Sequence, residues 1–234
     1  MTKNSTIRVL SADAPKAGLR LGATTFSSET GQPHEIELAT GPVIKERATS
    51  GQANADMIVI PLAEMKDLAD AGHVLPGSVR PIGAVTVGVT IRNDARVPDL
   101  SSVEAFKASV LAADKIIYNT ASSGQYIAKM LDKLELTEKV AAKSLILKTG
   151  KAVMEELAAD TSGGAIGFGH VTEILLHKDM GTRLVGPLPG EIGRNTIYAL
   201  AILPKAEQGD SAELLAKFLT SREGKRLFVE TGVL

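Results

Sequence analysis

Short apolar runs rich in Val and Ile recur along the chain, separated by longer segments whose apolar residues repeat at helical spacing. This alternation constrains the fold more than any other feature, because strands that alternate with helices build an α/β protein with largely parallel sheets. The predicted strands are residues 7–11, 35–39, 57–60, 84–91, 115–119, 144–147, 165–168, 183–185 and 196–203. Helical spacing marks residues 42–50, 62–71, 102–112, 122–134 and 151–159, and again 211–219 and 221–229 beyond Pro204. Two strands are longer than the rest. Residues 84–91 follow Pro81-Ile82-Gly83, and residues 196–203 follow the turn from Pro187 to Gly190. Long strands reached from flexible turns suit a chain that crosses between two lobes and later returns. The expected organisation is lobe 1 over residues 1–85 and 195–234, lobe 2 over 86–194, and a ligand cleft between them. A single sheet with two long central strands is the alternative.

Composition narrows the function. A chain of 234 residues with 44% hydrophobic and 23% charged residues and a formal charge of −1 is neither disordered nor basic enough to hold nucleic acid by bulk charge. The absence of Cys excludes thiol catalysis, iron–sulfur clusters and cysteine zinc sites. His34, His73, His170 and His177 include no pair at the i, i+4 spacing of a helical metal site, so no metal is expected. No Gly-x-Ser-x-Gly, no phosphate loop and no Gly-x-Gly-x-x-Gly after the first strand is present, and no cofactor is expected. Gly163 to Gly169 is glycine-rich but spans a strand, which reads as close packing. No apolar run of about 18 residues exists to span a bilayer, and Met1 to Thr6 leads straight into a strand pattern with no export-signal core. Two locations stay open: cytoplasmic, or periplasmic with an export signal removed ahead of Met1.

In parallel α/β sheets ligands bind beyond the carboxyl ends of strands, where helix N-termini offer unpaired amides and a positive dipole. Four strand-to-helix junctions carry small or hydroxyl residues. They are Ser11-Ala12-Asp13-Ala14, Ala39-Thr40-Gly41-Pro42, Tyr118 to Gln125, and Phe168 to Thr172. The third is the richest: Asn119 and Thr120, then Ser122 and Ser123, and Gly124, read as permitting close backbone approach at a helix start that suits an anionic group. At the second, Pro42 fits the first helical position, which places Gly41 at the cap and leaves the Thr40 hydroxyl available. Lys151 opens a helix against its dipole, held by an anion or simply solvated. His170 can act as acid or base near neutral pH, and Arg194 can clamp a carboxylate through its planar fork. For each of these a structural role is the competing reading.

These residues resemble the type II periplasmic-binding-protein fold, and within it the molybdate-binding-protein-like group of solute-binding proteins. The carriers are Ile7 to Ala12; Thr40 to Val43 with the helix to Gly51 and Ala55-Asp56-Met57-Ile58-Val59-Ile60; Gly167-Phe168-Gly169; and Tyr198 to Leu203. The resemblance implies two α/β lobes joined by two crossing strands, closing on a small anion as the substrate-binding component of a membrane ABC transporter, with no membrane insertion. It places Thr40 where the group binds oxyanion with a Ser, and Gly150-Lys151 where it uses a backbone amide. Phe168 stands where molybdate binders carry a Tyr, and Ala14 where they carry a first-loop Ser. Two hydroxyl contacts are thus missing, each costing a buried dianion about 1 to 3 kcal/mol. An organic carboxylate is therefore the expected ligand, with Ser11, Ala12, Thr40, Gly41, Asn119, Ser122, Ser123, Gly124, Lys151, Phe168, His170 and Arg194 as the candidate binding residues. The group also includes cofactor-free enzymes similar to aconitate isomerase, and on that alternative His170 or Asp13 is the base. Molybdate or tungstate binding is the second alternative.

Overall fold

The computed structural model describes residues 6–234, so the reading of the first five residues lies outside the described part. The chain runs β1 (Ile7–Ser11), α1 (Lys16–Thr30), β2 (His34–Leu38), α2 (Gly41–Ser50), β3 (Met57–Pro61), α3 (Leu62–Asp70) and β4 (Arg80–Arg92). It continues through α4 (Val103–Ala112), β5 (Lys115–Asn119), α5 (Ser122–Lys133), α6 (Thr137–Val140), β6 (Ser144–Leu147), α7 (Gly150–Ala159), β7 (Ala165–His170), α8 (Val171–Leu176) and β8 (Thr182–Pro187). The last elements are β9 (Asn195–Ile202), α9 (Gly209–Thr220) and α10 (Arg222–Glu230). Contacts divide the described chain into two compact units, residues up to Val85 with Thr196–Leu234, and Thr86–Asn195.

In unit 1 the strands lie in the order β2-β1-β3-β9, with β1 parallel to both β2 and β3 and β9 antiparallel to β3. Parallel strands buried on both faces read as continuous apolar runs, and Met57 to Ile60 are fully buried. Their core takes in Leu19, Ala23 and Phe26 of α1 and Leu215, Leu219 and Phe228 of α9 and α10.

Asp56, fully buried, explains the Ala-Asp-hydrophobic motif. One carboxylate oxygen accepts the Arg8 N–H at 2.8 Å and the other accepts the Gln208 N–H at 2.9 Å, just ahead of α9. Its backbone bonds Arg8 and Leu203 as well. A single carboxylate thus ties β1, β3 and the entry to α9, and a negative charge before a helix N-terminus is favourable.

Unit 2 has the order β6-β5-β7-β4-β8, parallel among β5, β6 and β7 and antiparallel where β4 meets β7 and β8. Its cores combine Phe106, Ile116, Ile127, Leu131 and Phe168 on one side and Ile117, Val153, Leu157 and Ile174 on the other.

The longest helix, α1 at 15 residues, is absent from the sequence-based reading. Gly18 and Gly22 break its apolar stripe, and both are required by packing. A Cβ at Gly18 would lie 2.3 Å from the Phe228 ring, and one at Gly22 2.6 Å from Leu219. The periodicity also missed the short helices α6 and α8, which hold too few turns to show a pattern. Among the described residues no helix is long and apolar enough to cross a membrane.

Candidate functional site

In unit 2 the chain leaves β5 at Asn119 and turns at once into α5. The Asn119 side-chain oxygen accepts the Ala121 N–H at 2.9 Å, an Asx turn that sets the reversal. The next constraint is steric: a Cβ at Gly124 would lie 1.6 Å from the Asn119 carbonyl oxygen. This corrects the sequence reading of Gly124, since the strand end itself, and not an approaching ligand, demands the glycine. Ser123 is buried, with its hydroxyl 3.4–3.5 Å from the Asn119 carboxamide. Ser122 and Thr120 are exposed. Backbone bonding of α5 begins with Gln125 N–H to Ala121 O, so the amides of Ser122, Ser123 and Gly124 precede the ladder.

Arg194 comes to this helix from the other end of the unit. Its guanidinium lies 5.5 Å over the Tyr126 ring, and the Tyr126 hydroxyl donates to the Ile192 carbonyl at 2.7 Å. The side chain is exposed, and among the described residues it forms no ion pair. Sequence reasoning missed Tyr126. The signal was there, because a tyrosine four residues after Ser122 lies on the same helix face.

At the end of β7, Phe168 is fully buried and packs edge-on to Phe106, ring centroids 6.1 Å apart at 71°. It is a core residue, which corrects its place among the ligand contacts: alternation along the strand turns this side chain into the apolar layer. His170 closes β7, occupies the position before α8 and is half-buried. Two residues on, the Thr172 hydroxyl is buried with no hydrogen-bond partner among the described residues. Native proteins seldom leave a buried hydroxyl unpaired without a water or ligand nearby.

The start of α7 is capped by Thr149, whose hydroxyl accepts the Ala152 N–H at 3.1 Å. Lys151 turns along the helix surface to Glu155, 3.1 Å away. Its side chain is the solvated surface pair of the two readings, leaving only backbone at this junction to meet a ligand. The Glu173 side chain packs against Gly150, where a Cβ would lie 2.5 Å from its Cγ, and its carboxylate is 3.1 Å from His177 Nε2.

In unit 1 the ends of β1 and β2 lie side by side, joined by Ala39 N–H to Ser11 O. Ser11 is fully buried and its hydroxyl donates to the Ala12 carbonyl at 2.9 Å, while the Ala12 N–H goes to Val59. Asp13 is exposed and pairs with Lys16 at 3.0 Å. Thr40, not Gly41, is the residue before α2, and Gly41 is already helical, one position earlier than expected. The Thr40 side chain is exposed and makes no capping bond. Beside it stands an unforeseen carboxylate: a Cβ at Gly41 would lie 2.9 Å from Glu64 Oε2.

Each unit therefore gathers its own set of strand-end residues, Ser11, Ala12, Thr40 and Gly41 in unit 1 and Asn119, Ser122, Ser123, Gly124 and Arg194 in unit 2. Among the described residues no cluster of three His, Asp or Glu side chains is placed to hold a metal.

Comparison with known proteins agrees with this architecture. A Pseudomonas aconitate isomerase is 24% identical over 237 residues, covering 98% of this chain and 87% of the relative. The substrate-binding domain of a putative molybdenum ABC transporter from Clostridium difficile superposes with a TM-score of 0.78 at 16% identity, covering 97% of each chain. The periplasmic molybdate-binding protein of Azotobacter vinelandii gives 0.74 at 16% identity, covering 97% of this chain and 98% of the other. The fold is that of the type II periplasmic binding proteins. The family pattern of the bacterial extracellular solute-binding proteins matches residues 7–234, and the chain belongs to that family.

Proposed function

We propose that this solute-binding protein captures a small organic anion with more than one carboxylate and delivers it, in the periplasm, to a membrane ABC transporter. In this reading Ser122, the first amides of α5 and Arg194, all of unit 2, hold the anion. The observation that carries it is Arg194, a guanidinium with no carboxylate of its own, held on the helix whose start exposes Ser122 and Thr120. A guanidinium fork matches a carboxylate with two parallel N–H groups.

Thermal shift is the direct test, since a ligand that binds only the folded form raises the melting temperature. Citrate and the aconitates are expected to stabilise the protein, and molybdate, tungstate, sulfate and phosphate to leave it unchanged. Stabilisation by the inorganic oxyanions alone would replace this reading with oxyanion transport.

The aconitate isomerase relative favours a second reading, double-bond migration in a tricarboxylate by proton transfer. One base would take a proton from carbon at one end of the allylic system and return one at the other. His170, half-buried at the end of β7, is the candidate base, because an imidazole can take and return a proton; Asp13 is the other. Chromatography of trans-aconitate incubated with the protein tests it. Turnover that disappears in His170→Ala while calorimetric binding persists would establish the enzyme, and absence of turnover would leave the binding protein.

A further inference from the structure

We propose that Tyr126 is the positioning residue that turns Arg194 into a carboxylate receptor; the inference rests on the organic-anion reading above. Two links join this tyrosine to the arginine. The ring carries the guanidinium at 5.5 Å, and the hydroxyl holds the Ile192 carbonyl, two residues upstream of Arg194. Ile192 is itself fixed, buried in the unit 2 core and closing a tight turn through its N–H to Pro189 O. The arginine therefore starts from an anchored backbone and ends on an aromatic face.

A guanidinium held over a ring still has N–H groups directed away from it, and carboxylates bind through those groups. Side chains on a helix lean toward its N-terminus, so the Tyr126 ring lies over the turn that begins at Ser122. An exposed arginine loses rotamer freedom when it binds, and the stack removes part of that loss beforehand. Lysine cannot replace it, because an ammonium offers neither the fork nor the flat face. No carboxylate among the described residues competes for the guanidinium.

The test is isothermal titration of the full chain with citrate, cis-aconitate and trans-aconitate, the tightest of the three serving as probe. Tyr126→Leu is expected to weaken binding about 5- to 20-fold, and Tyr126→Phe, which keeps the ring, by no more than about threefold. Arg194→Lys should lose about tenfold despite retaining the charge. In the Arg194→Lys background Tyr126→Leu should add less than about twofold, because a residue acting through another has nothing left to position. An equal loss in both backgrounds, or no loss with Tyr126→Leu, overturns the inference, and the double-mutant comparison stands even if the leucine variant is less stable. If Ser122→Ala weakens binding while the Tyr126 and Arg194 variants do not, this inference fails and the organic-anion reading survives. If none of the three acids binds the unaltered protein, both fail.

Discussion

In unit 1 the helix that follows β2 begins at Thr40 beside the Glu64 carboxylate, whereas in unit 2 the helix that follows β5 carries the Arg194 guanidinium over Tyr126, its fifth residue. Both junctions come at the carboxyl end of a parallel strand and both expose a hydroxyl ahead of unpaired amides. They differ in charge. A carboxylate near the α2 start already satisfies part of that helix dipole and repels a second anion, while a guanidinium over the second turn of α5 adds positive charge to that helix. The difference teaches that a helix N-terminus does not by itself define an anion site. Its neighbours decide how much negative charge it will accept: Glu64 lowers that charge at α2, and Arg194 raises it on α5.

Gly124 and Asp56 carry the scaffolds of the two junctions, and their loss has the largest effects. Replacement of Gly124 by Ala drives a methyl group into the Asn119 carbonyl, and the atoms it meets are all Asn119 backbone, which cannot turn aside. A loss of about 3 kcal/mol of stability is expected in urea unfolding, together with loss of ligand binding. On the unit 1 side the corresponding scaffold residue is Asp56. Asp56→Ala should cost about 1 to 3 kcal/mol for each of the two N–H groups it orphans, those of Arg8 and Gln208, measured in the same way.

Charge at the two junctions sharpens the contrast without unfolding either. Arg194→Ala is expected to weaken organic-anion binding about tenfold or more. Glu64→Gln should leave it within about twofold, since the ligand is held on unit 2. Titration calorimetry on the pair checks both, and a Glu64→Gln variant that binds more weakly would mean the carboxylate helps hold the ligand. The contrast between the two variants is the point of the experiment.

The smallest expected effect is a pH dependence confined to the unit 1 scaffold. Arg80 pairs with Glu213 through two hydrogen bonds and holds the Glu213 carboxyl below its usual value of 4.5. The unfolded chain therefore takes up this proton at higher pH than the folded one, so the pair stabilises the fold above that usual value and the contribution is lost as pH falls through the lower, folded value. Thermal melts from neutral to acidic pH should show a shallower decline in Glu213→Gln than in the unaltered protein.

Much of the fold was legible because burial on both faces writes a strand as a continuous apolar run. Lys115–Asn119, buried along four of its five residues, is read from sequence with the same ends that the structure gives, and so is the edge strand Ser144–Leu147, although it is only half-buried. The helix α1 was not legible, because Gly18 and Gly22 serve close packing against residues some 200 positions away in the chain. At the candidate site the junctions were found and several roles were not. Asn119 and Gly124 build the turn; Phe168 fills the core; Lys151 pairs along its own helix. Each of those outcomes depends on which neighbour arrives, and residue type alone does not specify it.

An α/β chain, the places where strands give way to helices, and the hydroxyls and small residues at those places follow from the order of residues alone, since they depend on periodicity and local turn chemistry. Only the tertiary structure decided that Tyr126 carries Arg194, that Glu64 flanks Gly41, and that Asp56 is a buried tie between segments. Charge and contact act through space over a few ångströms, and the residues that meet there are separated by tens to hundreds of positions along the chain.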